Sequence, residues 1–172
     1  EELYKQTDIK VCLCRYGNVL ESTGSVIPFF KQLLENGFEY IDLPITHIDM
    51  TRFLLTLDAA VDLIEWSYCH DDAHGNIVIP KIKALRVLDI AKSLGRAYGH
   101  RDIDIKYIGI RPGEKLHEAM ISEPESFRTK DYGDYYMITD NIINDTCWTF
   151  SSDTSLMESS ETDKFLKESG VI

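Results

Sequence analysis

The hydrophobic positions of the chain fall into short runs, some with strand-like and some with helix-like spacing. Residues 9–14 form a mostly apolar run that predicts a buried strand, and residues 76–80 form a second run that ends at a proline. Apolar and polar residues alternate over residues 103–107, which predicts a half-buried strand. The pattern therefore predicts only two or three strands in the chain.

Longer segments carry apolar residues at helical spacing. The predicted helices cover residues 26–36, 57–69, 84–95 and 115–121. Residues 22–25 supply capping groups before the first helix, and Thr56 caps the second. A further helix starts within residues 158–163. Residues 38–50 predict irregular structure, and the chain becomes more polar from Glu123 onwards. The alternation of strands and helices predicts an α/β fold.

The second predicted helix has an apolar face and a charged face. The apolar face comprises Leu57, Ala60, Val61, Ile64 and Tyr68. The charged face comprises Asp58, Asp62 and Glu65. We expect the apolar face to pack and the charged face to contact water. A doubly wound sheet needs about five or six strands, so we also expect the sheet to be incomplete in this chain.

Composition narrows the possible partners. The 172 residues suit one domain, or one domain and part of another, and the net charge of -11 disfavours nucleic acid as a partner. No apolar run approaches the roughly 18–20 residues that span a bilayer, so we expect no membrane segment. The four cysteines form no C-x-x-C pair and no signal peptide is visible, which predicts reduced thiols in a cytoplasmic protein. The chain begins at Glu1 rather than Met, which predicts a fragment or a processed chain.

Two clusters of polar residues follow or precede predicted elements near the N-terminus. Asn18 comes at the carboxyl end of the first strand, where ligands sit in open α/β sheets, and its amide suits a sugar hydroxyl or a phosphate. Its alternative role is to close the turn beside Gly17. Gly24 and Ser25 precede the first helix, whose free N–H groups suit a phosphate oxygen. A plain N-terminal cap is the alternative there.

Two arginines carry the remaining candidate chemistry. Arg52 adjoins a buried segment, so it needs either a ligand anion or a structural ion pair. Arg111 opens the turn Arg111-Pro112-Gly113-Glu114-Lys115, where it suits a diphosphate and Glu114 suits ribose hydroxyls. A generic turn leading into a helix is the alternative. The five histidines show no metal-ligand spacing, and the sequence contains neither G-x-G-x-x-G nor Tyr-x-x-x-Lys.

Several of these residues belong to longer motifs that occur in order over residues 9–140. The motifs are Arg15-Tyr16-Gly17-Asn18-Val19, Gly24-Ser25-Val26-Ile27-Pro28-Phe29-Phe30, Leu43-Pro44-Ile45-Thr46, Met50-Thr51-Arg52-Phe53, Ile79-Pro80-Lys81-Ile82 and Gly109-Ile110-Arg111-Pro112-Gly113-Glu114-Lys115-Leu116-His117-Glu118. Together they resemble the C-terminal part of the UDP-N-acetylglucosamine 4,6-dehydratases, a polysaccharide-biosynthesis family of extended short-chain dehydrogenases/reductases.

The resemblance implies a fold and a division of labour. The chain would contain the last strands of a Rossmann sheet and a small mixed α/β substrate-binding domain. Residues 1–140 would bind the nucleotide sugar, with residues 9–24 and 57–100 contributing to the Rossmann sheet and its helices, and residues 141–172 would form a C-terminal extension. The missing N-terminal half would bind most of the NADP and carry the catalytic residues, so no catalytic residue maps onto this chain.

The resemblance also implies contact residues and a reaction. The UDP-sugar would contact Asn18, Val26, Thr46, Arg52, Arg111 and Glu114. The cofactor would contact Val19, Leu20, Glu21, Ser22 and Thr23. The family is a lyase that oxidises the sugar at C4, removes water across C5 and C6, and returns the hydride to C6. The complete protein would be a homo-oligomer.

The chain departs from the family pattern at a few positions. Glu21-Ser22-Thr23 stands where Gly-Ser-Arg is usual, His47 stands where aspartate is common, and Asp49 stands where a basic residue is common. Two alternatives also stay open, because the missing half would decide the chemistry and the sequence has no Tyr-x-x-x-Lys. One is a nucleotide-sugar epimerase or reductase of the same fold, and the other is a chain that binds a nucleotide sugar without catalysis.

Overall fold

The computed structural model describes residues 9–36, 41–100 and 103–172. The chain divides into two compact units, and each is built from three separate segments. Unit 1 comprises the described residues up to Gly17 together with Leu55–Ile82 and Ala119–Ser151. Unit 2 comprises Asn18–Leu54, Lys83–Glu118 and Ser152–Ile172.

The described residues form short strands and five α-helices. The strands are β1 (Leu13–Cys14), β2 (Asn18–Val19), β3 (Asp42–Ile45), β4 (Thr51–Leu55), β5 (Ile77–Pro80), β6 (Ala84–Arg86), β7 (Asp104–Tyr107), β8 (Ala119–Ile121), β9 (Thr129–Asp131), β10 (Tyr135–Ile138) and β11 (Phe150–Ser151). The helices are α1 (Val26–Asn36), α2 (Leu57–Cys69), α3 (Val87–Ala97), α4 (Glu123–Ser126) and α5 (Thr162–Glu168). Single turns of 3-10 helix cover Asp71–Ala73 and Ser159–Glu161.

Unit 1 is built on a four-stranded mixed sheet in the order β1-β5-β10-β9. β1 runs parallel to β5, with Leu13 opposite Ile77, and β10 runs antiparallel to both of its neighbours. Helix α2 packs on β1 and β5. The buried cluster of this unit contains Leu63 of α2, Val78 of β5, Met137 of β10 and Ala73. β8 and β11 form a separate antiparallel pair.

A forked ion pair links the end of β1 to helix α4 within unit 1. Arg15 donates from Nη2 to Glu125 Oε1 over 2.9 Å, from Nη1 to Glu125 Oε2 over 3.1 Å, and to the Met120 carbonyl over 2.7 Å. Burial raises the pKa of Glu125, but the hydrogen bonds from Arg15 and Ser122 outweigh burial and lower the pKa from 4.5 to about 2. The guanidinium of Arg15 is therefore committed to the fold.

Unit 2 contains two small sheets and helices α1, α3 and α5. β4 lies between β2 and β6, while β3 and β7 form a parallel pair that runs from Asp42 opposite Asp104 to Ile45 opposite Tyr107. The core includes Ile27, Phe30, Leu43, Ile45, Leu85, Ile90, Leu94, Leu166 and Val171. Gly95 lets α3 approach the start of β7, because a Cβ there would lie 1.6 Å from Ile103 Cδ1.

Several predicted elements are confirmed. Helix α1 covers the predicted residues 26–36, and α2 covers 57–69 with the predicted cap, in which the Ala59 N–H donates to Thr56 Oγ1 over 3.1 Å. Strands β5 and β7 lie within the predicted runs, and α5 follows a turn that starts at Ser159. The first strand is shorter than predicted, since β1 covers only Leu13–Cys14, and the predicted burial is wrong, since Ile9, Val11 and Leu13 are exposed. The presence of helices with parallel and antiparallel strands confirms the α/β class.

The prediction of irregular structure over residues 38–50 is wrong for residues 42–45 and confirmed for residues 46–50, while residues 38–40 lie outside the described ranges. β3 occupies Asp42–Ile45 despite Pro44. The flanking residues Ile41 and Ile45 accept bonds from the β7 side, at 3.1 and 3.0 Å. The backbone of Pro44 faces the other edge of β3, where proline needs no N–H donor. The predicted count of two or three strands is also wrong. Short strands such as β3 form because they pair with segments distant in the sequence.

Two helix predictions need correction. Ala84–Arg86 forms β6 against β4, so the predicted helix at residue 84 begins only at Val87. The predicted helix over residues 115–121 does not form. The Leu116 carbonyl instead accepts from the Thr51 N–H over 3.1 Å, and the Glu118 carbonyl accepts from Ser152 over 2.8 Å. These long-range bonds compete successfully with local helix formation.

The boundaries of α2 and its exposed charged face are as predicted, but the predicted packing is wrong for four of the five residues of the apolar face. The residues that α2 buries are Ala60, Leu63 and Ser67. Four apolar residues of the predicted packed face, Leu57, Val61, Ile64 and Tyr68, are exposed. We call these four residues the α2 stripe. No helix of the described residues is both long enough and apolar enough to cross a membrane.

Candidate functional site

A cavity of about 520 Å³ opens in unit 2. Its walls come from the start of α1, the end of β3 and the loop after β7. The lining residues are Gly24, Ser25, Val26, Pro28, Phe29, Phe30, Gln32, Pro44, Thr46, Ile108, Arg111 and Glu114. This volume lies within the range of small-molecule sites. We call it the large cavity.

The start of α1 brings backbone donors to the large cavity. The first hydrogen bond of the helix runs from the Phe29 N–H to the Ser25 carbonyl over 3.4 Å. The N–H groups of Val26 and Ile27 therefore have no acceptor within the helix. No acidic residue occupies the first turn, and Gly24 reaches it with a φ of 79°. The arrangement favours an anion at this end of the helix.

Ser25 adds a hydroxyl at the same place. Its Oγ is buried and has no hydrogen-bond partner among the described residues. A buried hydroxyl without a partner costs free energy, and such groups are uncommon in native proteins. The sequence pattern singled out the backbone at Gly24 and Ser25 but not this hydroxyl, which no local spacing distinguishes from a capping group.

The turn that starts at Arg111 closes on itself beside the large cavity. The Glu114 N–H donates to the Arg111 carbonyl over 3.0 Å, and the Arg111 N–H donates to Glu114 Oε2 over 3.2 Å. Thr46 donates its hydroxyl to Glu114 Oε1 over 3.4 Å. The turn thereby fixes the Glu114 carboxylate and leaves Arg111 exposed, with no carboxylate within ion-pair distance in the described ranges. Arg111 is therefore the cation that the large cavity offers to an anion.

Arg52 is more enclosed than Arg111, and only 16% of its side chain is exposed. Its Nη1 donates to the carbonyl of Thr51 over 2.7 Å and to that of Leu116 over 3.2 Å. Its Nη2 lies 3.7 Å from Glu114 Oε1, and its Nε lies 3.6 Å from Glu118 Oε1. The structural ion pair that the sequence left open is thus present, and it holds the segment between Glu114 and Glu118.

A second cavity of about 130 Å³ also lies in unit 2. Its lining residues are Asn18, Val19, Leu20, Ser25, Val26, Ile27, Arg52, Leu54 and Val87. We call it the small cavity. Ser25 and Val26 line both cavities, so the start of α1 is shared between them. All six residues predicted to contact a UDP-sugar therefore line one or both of these cavities.

The segment predicted to contact a cofactor is a turn. Val19 and Leu20 line the small cavity, and the Ser22 N–H donates to the Val19 carbonyl over 3.2 Å. Glu21 adopts a φ of 57°, a left-handed conformation that favours glycine, and its carboxylate forms an ion pair with Lys31. Thr23 is exposed. The segment thus offers backbone groups, with the charge of Glu21 already paired.

Two further residues support the site and were not predicted as part of it. Glu118 accepts hydrogen bonds from Asn18 and from the backbone of Phe53, and Ser152 binds both Glu118 and Thr51. The position of Glu118 at the end of the Arg111–Glu118 motif was a usable signal. Ser152 gave none, because it lies beyond the motifs. Within the described residues, no group of His, Cys, Asp and Glu is arranged to hold a metal ion.

A family model described as "polysaccharide biosynthesis protein" matches residues 1–140. The chain belongs to this family. The resemblance drawn from the motifs is thus confirmed at the level of the family. A curated relative, UDP-N-acetylglucosamine 4,6-dehydratase (inverting) of Campylobacter jejuni subsp. jejuni, is 43% identical over 139 residues, which cover 80% of this chain and 38% of the relative.

Other relatives have a different activity in their names. UDP-glucose 4-epimerase of Rickettsia canadensis is 39% identical over 128 residues, which cover 74% of this chain and 36% of that protein. The chain thus spans just over a third of the length of these curated relatives. The X-ray structure of Pen from Bacillus thuringiensis superposes with a TM-score of 0.80 at 23% identity, covering 92% of this chain and 50% of that one. This likeness shows the fold.

Proposed function

We propose that unit 2 binds the UDP-sugar of a nucleotide-sugar 4,6-dehydratase, with UDP-N-acetylglucosamine as the substrate. One observation carries the proposal: Arg111, which has no carboxylate partner among the described residues, lines the same cavity as the amides at the start of α1. Together they suit a diphosphate, because its oxygens accept from both a guanidinium and free N–H groups. The dehydratase relative supplies the choice of sugar.

The remaining predicted contacts suit the neutral parts of such a ligand. Glu114 is fixed by Thr46 and by its own turn, so its carboxylate can accept from ribose hydroxyls. Val26 offers apolar contact and a backbone amide in both cavities. Arg52 already contacts carbonyls and carboxylates of the protein. We therefore expect it to hold the wall of the site in place and to offset the negative charges of Glu114 and Glu118.

The cofactor of the proposed reaction is NADP, held mainly by residues outside this chain. The fit of the described residues is partial, because Val19–Thr23 offers backbone groups while the Glu21 carboxylate is paired with Lys31. When bound, NADP would supply reversible hydride transfer for the oxidation at C4 and the reduction at C6, with water lost across C5 and C6 between the two. This chain contributes substrate binding and no catalytic acid or base. We place the complete protein in the cytoplasm as a homo-oligomer.

Two features of unit 1 support an additional α/β segment beside it. β1 is an edge strand of its sheet among the described residues, and it pairs in parallel with β5. The α2 stripe is apolar and exposed. Parallel sheets are normally covered by helices on both faces, so a Rossmann-type segment that adds parallel strands and helices suits this surface.

A second candidate function has support from the epimerase relatives. A 4-epimerase of the same fold would also bind a UDP-sugar between Arg111 and α1. The two activities differ in what happens after oxidation at C4, which depends on groups outside this chain. The product formed by the full-length protein from UDP-N-acetylglucosamine, a 4-keto-6-deoxy sugar or a C4 epimer, distinguishes them.

The proposal is tested by titrating UDP into this chain in a calorimeter. We expect Arg111→Ala to weaken UDP binding by about 1.5–3 kcal/mol, the range for a charge-assisted hydrogen bond. Arg96→Ala is the matched control, because Arg96 is an exposed arginine of unit 2 that pairs with Asp163. A chain that does not bind UDP, or equal dissociation constants for wild type and Arg111→Ala, would contradict the proposal. We also expect no 4-keto-6-deoxy product from this chain with UDP-N-acetylglucosamine and NADP.

A further inference from the structure

Glu118 gathers three donors around one carboxylate, and two of them belong to residues that line the small cavity, Asn18 and Arg52. Asn18 Nδ2 lies 3.2 Å from each of its two oxygens. The Phe53 N–H donates to Oε2 over 3.2 Å, and Arg52 Nε lies 3.6 Å from Oε1. The carboxylate is only 29% exposed, so water competes weakly for these bonds.

The carboxylate fixes which end of the Asn18 amide can meet a ligand. Asn18 Nδ2 also donates to the Phe53 carbonyl over 3.3 Å, so all hydrogen bonds of this side chain in the described part of the protein use the nitrogen. The reversed amide would set Oδ1 against a carboxylate and a carbonyl, which repel it. Asn18 therefore has its carbonyl oxygen left for a ligand.

An oxygen acceptor cannot bind the oxygens of an ionised diphosphate, because these are acceptors as well. It can accept from a hydroxyl or from an amide N–H, and a sugar residue offers both. The sequence left two ligand partners open for Asn18, a sugar hydroxyl and a phosphate. The free carbonyl oxygen excludes the phosphate and leaves the sugar.

The backbone of Glu118 is itself held from the far end of the chain. Its N–H donates to Ser152 Oγ over 2.8 Å, and its carbonyl accepts from the Ser152 N–H over 2.8 Å. Ser152 is fully buried, and its hydroxyl also bonds to Thr51 Oγ1 over 2.7 Å. Thr51 precedes Arg52 in β4. The carboxylate is thus fixed in position independently of any ligand.

We propose that Glu118 is a positioning residue that turns the Asn18 carbonyl towards a donor group on the sugar of the bound nucleotide. The proposal rests on the UDP-sugar site proposed above and assigns the recognition of the sugar, as distinct from the diphosphate, to the Glu118–Asn18 pair. Glu118 itself does not touch the ligand. Replacing it with glutamine removes the charge that disfavours the reversed amide.

The test compares UDP-N-acetylglucosamine with UDP by calorimetry on this chain. The dissociation constant of UDP divided by that of UDP-N-acetylglucosamine measures the contribution of the sugar. We expect Glu118→Gln to lower this ratio by about tenfold, which corresponds to the loss of about one hydrogen bond. We expect Asn18→Ala to lower it as much, and the double variant to lower it no further, because both act through one contact. Glu168→Gln, an exposed glutamate on α5, is the control and should leave the ratio unchanged.

Each outcome separates the two proposals. Failure of the wild type to bind UDP overturns the proposed function. Binding of UDP with no additional affinity for UDP-N-acetylglucosamine overturns only the role of Glu118 and Asn18, as do additive effects of the two substitutions. A Glu118→Gln variant that is less stable but keeps the ratio shows a purely structural role. If Glu118→Gln does not fold, Asn18→Ala serves instead, because it removes the acceptor oxygen. Retention of the ratio by Asn18→Ala overturns the proposal.

Discussion

At the scale of single residues, the Glu125 carboxyl makes the stability of unit 1 sensitive to acid. The lowered pKa of about 2 means that the folded protein favours the ionised form relative to an unfolded chain with a pKa near 4.5. The stabilisation is complete above pH 4.5 and is lost as the pH falls from there towards 2. Removing the proton-binding group should therefore remove part of the acid sensitivity.

We expect the free energy of unfolding of the wild type to fall by about 2–3 kcal/mol more than that of Glu125→Gln between pH 6 and pH 2. The measurement is urea unfolding followed by circular dichroism across this pH range. Glu123→Gln, at the first residue of α4, is the control. Its free energy of unfolding should depend on pH as that of the wild type does. Equal pH dependences for the wild type and Glu125→Gln would show that the Arg15 fork does not stabilise the fold.

Glu21 illustrates what residue types alone can tell. The sequence marked it as a carboxylate where the related proteins usually have glycine, and the φ of 57° gives the physical reason for glycine at that position. The sequence did not indicate Lys31 as its ion-pair partner. That pairing depends on how the turn meets α1, which residue types do not specify.

At the scale of elements, the α2 stripe is the clearest departure from the expected packing. Periodicity correctly grouped the four residues of the stripe on one side of the helix, but it placed Ala60 with them and could not show which side faces the sheet. The helix instead turns its small residues Ala60 and Ser67 towards the sheet, with Leu63 between them. Small side chains allow a close approach, and the larger apolar residues are left for another partner.

Substitutions in the α2 stripe should accordingly leave the stability of this chain unchanged. We expect Val61→Gln and Ile64→Gln to change the free energy of unfolding by less than about 0.5 kcal/mol and to reduce self-association of the chain. Leu63→Ala, on the buried side of the same helix, should cost about 2–5 kcal/mol. Urea unfolding and sedimentation velocity measure the two effects. A large loss of stability for Val61→Gln would mean that the stripe is packed within this chain.

The elements that could be predicted depend on local signals. α1, α2, β5 and β7 have caps, periodicity or a terminal proline within their own residues. β3, β4 and β8 form only because distant strands offer partners, so their short apolar runs were ambiguous. The helix predicted over residues 115–121 is wrong for a related reason. Its residues have helical spacing, but its backbone forms hydrogen bonds with the distant residues Thr51 and Ser152 instead.

At the scale of the whole molecule, the residues after 151 belong to the structural core of unit 2. Leu166 and Val171 are buried with the residues of α1 and α3, and Leu156 bridges to Ala84. These positions lie beyond the match to the family, which ends at residue 140. The sequence identified the motif residues of the site, but it could not show that this last segment holds Glu118 through Ser152.

The contribution of this segment can be measured by one substitution. We expect Leu166→Ala to lower the free energy of unfolding by about 2–5 kcal/mol, because it leaves a cavity in a fully buried site. Lys164→Ala on the same helix has an exposed side chain and should change stability by less than about 0.5 kcal/mol. Thermal unfolding of both variants checks the expectation. A small effect of Leu166→Ala would mean that α5 contributes little to the unit.

The three-segment construction of both units affects how the chain can fold during synthesis. A ribosome releases the chain from the N-terminus, so α1 and β3 emerge long before α5. Unit 2 lacks Leu166 and Val171 until the last residues of this sequence are made. Unit 1 lacks β9 and β10 until synthesis has passed the middle of this sequence. Neither unit can close as its first segment emerges, and the nascent chain carries apolar surface that chaperones would have to shield during translation.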